Sequence, residues 1–256
     1  MEALIGIGRM ALSVWAYLGS LLALLLATVR SAGAIRPRSM RLLGRVTMLQ
    51  IFFTGFQAVL PLTIASVALG VLVLSISLQY LPVDYVQGVA SIVIVREVVP
   101  LVTAFLIIGR SGTAITIEIA TMKLNDELLA LEVMGIPFTQ FVALPRLVGA
   151  VVAFLLLQVY ADLFGLLGGY YGSALVDAQL PAYPVADLLQ GIDPADFALA
   201  CLKAVLFGVV ISITAIQQGL QVGRSRREIP IVTSRAVVRS LLLCFLLNTA
   251  VSVGVG

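Results

Sequence analysis

The sequence predicts an all-α integral membrane protein with an N-terminal interfacial helix, about five transmembrane helices and one cytoplasmic helix between two of the spans. Three observations support this fold class. Aliphatic and aromatic residues and cysteine make up 61% of the 256 residues, and charged residues only 11%, whereas about half apolar is usual for a soluble domain. Several apolar runs reach the ~20 residues that a helix needs to cross a bilayer. Arginine and lysine are concentrated in alternate connecting segments, which is typical of cytoplasmic loops.

Residues 1–45 are predicted to form an interfacial helix followed by a basic loop. The apolar run 4–29 is long enough to span a membrane, and a helix lying in the interface is the competing interpretation. We favour the interfacial helix because the first span already starts on the cytoplasmic side. The loop holds four arginines, Arg36, Arg38, Arg41 and Arg45. A loop of this charge is normally cytoplasmic and contacts anionic lipid.

A five-span core is predicted over residues 46–256. The expected spans are about 49–79, 91–108, 138–176, 197–220 and 236–256. The connections 80–90 and 177–196 contain aspartate and no lysine or arginine, which places them outside by the positive-inside rule. The third span is longer than one crossing requires, and its second half carries Gly165, Gly168, Gly169 and Gly172. Such a small-residue face lets helices pack closely, and a break or re-entrant turn is the alternative.

Three ionisable residues lie within the spans at a similar depth from the outer side. Arg96 and Glu97 follow the apolar SIVIV in the second span, and Lys203 lies in the fourth. Because a charge near the bilayer centre costs ~2.5–3.5 kcal/mol, such residues tend to face cavities or partners. We therefore expect a shared polar site with net positive charge for an anionic headgroup; independent snorkelling toward the interface is the alternative. Asp162, in the third span, is expected to make a polar contact with a neighbouring helix.

A polar helix is predicted over residues 118–135, on the cytoplasmic side between the second and third spans. Gly135 followed by Pro137 marks its end. Its polar face consists of Asn125, Asp126, Glu127 and Glu132. A plain amphipathic loop helix is one interpretation. A helix that docks into a cytoplasmic ATPase is the other, and the segment EIA…MGIP is similar to the Glu-Ala-Ala…Gly loop by which ABC-importer permeases engage their ATPases.

Residue types that many active sites require are missing from the sequence. There is no histidine, so metal sites, catalytic triads and proton relays built on histidine are excluded. No GxxxxGK[ST] phosphate loop occurs either, so ATP would have to be bound by another chain. Cys201 and Cys244 lie in apolar segments and are expected to be packing residues rather than a disulfide. We expect no enzymatic activity, no cofactor and no metal.

Longer motifs carry a specific resemblance to a known family. They are REVVPLVTAFLIIGRSGTAITIEIATMKLNDELLALEVMGIP, PRLVGAV, ADLFGLLGGY, LKAVLFG and TSRAVVRS. Over residues 45–250 they resemble the MlaE (YrbE-type) permease family, the membrane subunits of ABC transporters that work with MCE proteins on phospholipids and other lipids. The resemblance implies one transmembrane permease domain over residues 1–256, in a homodimer with two cytoplasmic ATPase subunits and an MCE-domain partner on the outer side. The implied location is a bacterial inner membrane, and a plastid inner envelope for a homologue there.

The resemblance also implies roles for individual residues. Arg96, Glu97 and Lys203 match by position the charged residues around the family's lipid cavity, and Tyr80 falls where a tyrosine at the cavity rim is expected. The matching coupling helix contributes Glu118, Lys123, Asp126, Glu127, Glu132 and Gly135. Two features depart from the family pattern. The segment RSRREIPIVT after the fourth span is more basic, and Asn248 replaces an aspartate that many relatives have.

Two other functions compete with that of a lipid permease driven by a separate ATPase. An ion-coupled secondary transporter is expected to show inverted repeats with paired broken helices, and the sequence shows no convincing repeat. A non-transporting membrane scaffold leaves Arg96, Glu97 and Lys203 without a role.

Overall fold

The computed structural model describes residues 2–33, 37–80, 82, 85–86, 88, 91–177 and 193–255, and every regular element within these ranges is helical. The α-helices are α1 Glu2–Ala32, α2 Pro37–Tyr80, α3 Val99–Ile107, α4 Thr113–Leu124, α5 Glu127–Val133, α6 Leu144–Asp177, α7 Pro194–Leu220 and α8 Ile229–Val255. The wider π-helical segments are π1 Ser91–Val98, π2 Ile108–Gly112 and π3 Thr139–Ala143, and a 3-10 turn covers Arg226–Glu228. The predicted all-α fold class is confirmed.

Six helical segments of the described chain are long and apolar enough to cross a membrane. They are Trp15–Ala32, Leu43–Tyr80, Ile92–Leu124, Thr139–Gly172, Pro194–Leu220 and Arg226–Gly254. The last five overlap the five predicted spans. The first belongs to α1, whose length and composition allow a span as well as an interfacial position. Most of the two predicted outer connections, 80–90 and 177–196, lies outside the described residues.

The second span is one continuous helical rod whose pitch changes along its length. The segments π1, α3, π2 and α4 follow one another without interruption from Ser91 to Leu124. Pro100 lies in the first turn of α3 and has no N–H group. The carbonyl of Arg96, four residues earlier, therefore lacks its usual α-helical donor and stays open to a side chain.

The cytoplasmic segment differs from the prediction of a single helix over 118–135. Residues 118–124 are the last part of α4, and α5 begins separately at Glu127. Between them Asp126 adopts a left-handed backbone with φ of 57°, which aspartate and asparagine tolerate better than most residues. The predicted stop is confirmed, because α5 ends at Val133 and Gly135 follows with φ of 71°.

Glycine allows α2 and α6 to pack with their backbones almost touching. A Cβ atom added to Gly70 of α2 would collide with the carbonyl oxygen of Gly165 in α6. A Cβ atom added to Gly169 would lie 2.7 Å from the carbonyl carbon of Gly70, and one added to Gly168 would lie 2.6 Å from Cγ2 of Val67. The predicted close packing is confirmed. The alternative, a break or re-entrant turn at these glycines, is wrong, because α6 runs through all of them without a break.

The interior of the protein lies between α6, α7 and the second span. Phe154 and Phe207 are fully buried there and pack edge to face with ring centroids 6.1 Å apart, a favoured aromatic geometry. Cys201 and Cys244 are both free thiols, as predicted. Only 22% of the α8 span is buried, whereas most of the α6 and α7 spans is buried. Because α8 packs against α7, its last turns lie beside the outer end of α7.

Candidate functional site

Arg96, Glu97 and Lys203 meet at the outer end of the bundle, where π1, α7 and α8 come together. Lys203 is fully buried, and its Nζ lies 3.1 Å from Glu97 Oε1. The same ammonium group donates to the carbonyl oxygen of Arg96 and to Ser252 Oγ, each at 2.8 Å. The Arg96 carbonyl is the one that Pro100 leaves without an α-helical donor. All three N–H groups of Lys203 therefore have partners.

Glu97 is held by two further donors from α8. Its Oε1 accepts from Ser252 Oγ at 2.8 Å, and its Oε2 accepts from Asn248 Nδ2 at 2.9 Å. Asn248 is the position where the resemblance leads one to expect aspartate. An amide can donate to Glu97, whereas an ionised aspartate would set a second carboxylate against it. The departure at Asn248 therefore suits the carboxylate that it contacts.

Arg96 makes longer contacts than Lys203 and completes the arrangement. Its Nη1 lies 3.5 Å from Asp196 Oδ1 and its Nε 3.7 Å from Glu97 Oε1. Its Nη2 donates to the carbonyl oxygen of Ser252 at 3.4 Å. We call the set Arg96, Glu97, Asp196, Lys203, Asn248 and Ser252 the outer charge cluster.

The formal charge of the outer charge cluster corrects one sequence-based expectation. Arg96 and Lys203 bring two positive charges, and Glu97 and Asp196 bring two negative charges, so the four cancel. The net positive charge expected from Arg96, Glu97 and Lys203 alone is therefore absent in this arrangement.

Sequence reasoning missed Asp196 and Ser252 as members of the cluster, although weak signals existed. Asp196 precedes Lys203 by seven residues in α7, which is two helical turns and places both on one face. Ser252 and Asn248 are four residues apart near the end of α8, and they share a face for the same reason.

Tyr80 and Asp162 behave differently from the cluster residues. Tyr80 is the last residue of α2 and mostly exposed. Among the described residues, no hydrogen bond or ion pair joins it to the outer charge cluster. Asp162 is buried, and its Oδ1 accepts from Gln158 Nε2 at 3.0 Å. Since Gln158 lies on the same helix, the expected contact with a neighbouring helix is wrong for this oxygen. The other oxygen, Oδ2, has no hydrogen-bond partner among the described residues.

The cytoplasmic end of the protein presents a second surface, on α5 and the turn after it. None of the α5 residues is buried. Leu129, Val133 and Met134 are 57%, 81% and 63% exposed, which is unusual for large apolar residues outside a membrane span. Glu127 and Glu132 are exposed on the same short helix. A cavity of about 510 Å³ opens between α5, the Gly135 turn and the end of α7.

Two of the six predicted coupling residues have partners within the protein, and of these the Glu118 side chain is still 56% exposed. Lys123 Nζ donates to the carbonyl oxygens of Leu220 at 2.5 Å and Val222 at 2.8 Å, and so caps the C-terminus of α7. Glu118 Oε1 lies 2.5 Å from Nη2 of Arg146 on α6. Of the others, Asp126 and Gly135 shape the turns on either side of α5, and Glu127 and Glu132 remain on its exposed face.

The sequence is similar to a family of known membrane proteins. The family model described as Permease MlaE matches residues 47–253. A probable ABC transporter permease protein of Rickettsia prowazekii is 28% identical over 204 residues, which cover 78% of each chain. The intermembrane phospholipid transport system permease protein MlaE of Haemophilus influenzae is 26% identical over 228 residues, covering 81% of this chain and 82% of the relative. The chloroplastic protein trigalactosyldiacylglycerol 1 of Arabidopsis thaliana is 25% identical over 173 residues, covering 65% of this chain and 48% of the relative.

Proposed function

Because the chain belongs to the MlaE permease family, we propose that it moves phospholipids or related lipids between its own membrane and a partner protein on the outer side. The outer charge cluster is the observation that supports this most directly. Arginine suits fork-like contacts with a phosphate, and lysine supplies a point charge. Both occur at the outer end of the bundle, on segments that contact one another.

The outer charge cluster fits the closed state of a lipid site. Ser252 and Asn248 on α8 bind Glu97 on π1, and Lys203 on α7 binds both segments. Moving α8 away from α7 would remove the Ser252 contacts and expose Lys203. A lipid phosphate could then take the place of a carboxylate beside the cations. In the proposed cycle, opening of this cluster and lipid binding are therefore one event.

A separate ATPase is proposed as the source of energy, with α5 as its docking surface. Exposed apolar side chains flanked by carboxylates suit a protein partner in the cytoplasm. Lys123 connects this surface to the bundle, since it ties the end of α4 to the end of α7. Movement of α5 would thus reach α7, which carries Lys203 at its other end.

The proposed assembly is a homodimer that contacts an MCE-domain protein on the outer side. The exposed apolar face of α8 is a candidate dimer contact, with Leu242, Phe245 and Leu246 on it. Phe245 also packs on Phe105 of α3, with ring centroids 5.4 Å apart. This pair would lie at the edge of such an interface. The partner on the outer side is proposed from the resemblance to the family.

The direct test reconstitutes the protein with its ATPase and MCE partner in liposomes that contain a fluorescent phospholipid. We expect ATP-dependent transfer to acceptor vesicles, and its loss in the Lys203→Glu and Arg96→Glu variants while the ATPase stays bound. Arg96→Gln is a milder substitution than Arg96→Glu, because it removes the charge of a partly exposed side chain without reversing it. Arg235→Glu, at an exposed arginine near the cytoplasmic start of α8, is the matched control.

One result would refute the proposed function, and another would refute only the proposed role of the outer charge cluster. Absence of ATP-dependent transfer by the parent complex would refute lipid transport as the function. Transfer at the parental rate by both glutamate variants would leave the function standing and would show that the outer charge cluster is only an anchor between helices.

A further inference from the structure

A cavity of about 440 Å³ lies near the cytoplasmic end of the bundle, between α2, π2, α4 and the start of α6. It is separate from the outer charge cluster. Its polar lining includes Arg110, Arg146 and Glu118, and its apolar lining includes Val46, Leu49 and Phe53. We call it the inner-leaflet cavity. Arg110 belongs to π2, within the second span, and the proposed transport cycle gives that segment no role.

Arg146 gives the wall of the inner-leaflet cavity a buried positive charge. It is only 8% exposed, and burying a guanidinium is costly unless its donors are satisfied. Its Nη1 donates to the carbonyl oxygen of Val142 at 2.9 Å, and its Nη2 pairs with Glu118. Its Nε is buried and has no partner among the described residues. The wall of the cavity therefore carries a buried guanidinium that is fixed in place and only partly paired.

The charge of the cavity matches a single phosphodiester. Arg110 and Arg146 carry two positive charges and Glu118 one negative charge, which leaves one positive charge. Arg110 is exposed and donates to the carbonyl and side-chain oxygens of Gln57 on α2. That contact holds its guanidinium at the cavity. Arginine is the residue best suited to bind phosphate oxygens in this way.

The apolar wall and the depth of the cavity indicate a lipid rather than a soluble anion. Leu49 and Phe53 are 51% and 55% exposed on the outer surface of α2, where acyl chains surround a membrane span. Arg110 lies 14 residues after Arg96 in the continuous second span, about 20 Å at ~1.5 Å per residue. Because the hydrocarbon core is about 30 Å thick and Arg96 lies inside its outer edge, Arg110 falls near the cytoplasmic headgroups.

We propose that the inner-leaflet cavity binds the phosphate of an anionic phospholipid from the cytoplasmic leaflet, with an acyl chain along Leu49 and Phe53 of α2. The free N–H groups of Arg110 contact the phosphate oxygens, and Arg146, held in position by Glu118, adds positive charge at the wall of the cavity. Lipid binding at this site requires only that the protein is embedded in a bilayer. It does not depend on whether the protein transports lipid.

The test places the full chain in phosphatidylcholine nanodiscs that contain a trace of photoactivatable phosphatidylglycerol. After illumination, mass spectrometry measures the labelling of each peptide. We expect labelling within residues 46–57. Arg110→Gln should lower it about tenfold, the factor that corresponds to 1.4 kcal/mol. Ala114→Trp, which fills the cavity from its wall without changing charge, should lower it by a similar factor. Arg235→Gln, the matched exposed arginine, should leave it unchanged.

Competition and headgroup controls make the proposal refutable. Unlabelled phosphatidylglycerol should displace the probe, whereas excess inorganic phosphate should not. Displacement by inorganic phosphate would assign the cavity to a free anion and overturn the lipid proposal. Equal labelling by photoactivatable phosphatidylcholine, or an equal loss in Arg235→Gln, would show no selective site. Intermolecular cross-linking of a Leu49→Cys variant across the cavity mouth would show that a second copy of the chain covers it.

Discussion

Replacing Lys203 with methionine tests how the outer charge cluster is stabilised. Methionine keeps most of the side-chain length and removes the charge, so it leaves Glu97 without its ammonium partner. Removing one partner of a buried ion pair costs about 3–5 kcal/mol, because the other charge is left uncompensated. Lys203 is fully buried, but the Glu97 side chain is 30% exposed and keeps Ser252 and Asn248 as donors. We therefore expect a loss near the lower limit, about 3 kcal/mol.

The double variant Lys203→Met/Glu97→Gln separates the uncompensated charge from the lost packing. Its glutamine is neutral, so nothing in the pair remains charged, and neutral replacements of a buried pair are often well tolerated. We expect the double variant to recover about 2 kcal/mol of the loss. The double variant should thus be more stable than the single variant, although it carries one more substitution.

Thermal unfolding of the purified protein in nanodiscs measures this difference. For a protein of this size, 1 kcal/mol corresponds to a shift in Tm of about 2–4 °C. The single variant should therefore unfold about 6–12 °C below the parent, and the double variant about 2–4 °C below it. A double variant that unfolds below the single variant would refute the reasoning, because the charge on Glu97 would then be stabilising without Lys203.

Three further predictions follow from other contacts. Gly70→Ala should lower the free energy of unfolding by about 3 kcal/mol, the upper range for overpacking, because the new methyl meets the backbone of α6. Gly55→Ala, on the same helix with open space around it, should raise the free energy of unfolding by about 0.5–1 kcal/mol. Equal effects at both positions would contradict the close packing of α2 and α6. Glu127→Lys with Glu132→Lys should change stability by less than about 0.5 kcal/mol and reduce co-purification of the ATPase, which an unchanged ATPase yield would disprove. Asn248→Asp should lower the free energy of unfolding by about 1–3 kcal/mol, because it replaces an amide that donates to Glu97 with a second carboxylate. The same nanodisc assay should show this as a lower Tm, and a Tm equal to that of the parent would show that this amide is not needed.

The spans and their charged residues were predictable because a bilayer acts on each segment separately. Apolar length identifies a span without knowledge of its neighbours. Depth follows from counting residues inward from a loop, and this places Lys203 level with Arg96 on another span. The contact of Lys203 with the Arg96 carbonyl is harder to predict from the sequence, although Pro100, four residues after Arg96, is a local signal for a free carbonyl.

The remaining contacts depend on how helices pack, which the sequence expresses only weakly. The sequence presents Asp196 as one of several aspartates in the connection 177–196, since nothing local shows that the first turn of α7 faces Arg96. Lys123 is expected from the resemblance to be a coupling residue, whereas in the structure it donates to the end of α7. The break at Asp126 had a local signal in Asn125–Asp126. It was overlooked because the apolar pattern continues across it.

The two proposed functional surfaces are joined by α7, and also by the second span, which runs without interruption from Arg96 and Glu97 to Lys123. Near the outer end of α7, Lys203 binds Glu97 and the Arg96 carbonyl, and at its cytoplasmic end the Leu220 carbonyl accepts from Lys123. About 26 Å of helix separates Lys203 from Leu220, at ~1.5 Å per residue, and most of it is buried against α6 and the second span. A helix packed in this way moves as a rigid body more readily than it bends. In the proposed cycle, displacement of α5 by a docked partner would therefore act on Lys203 through α7 and on Glu97 through the second span.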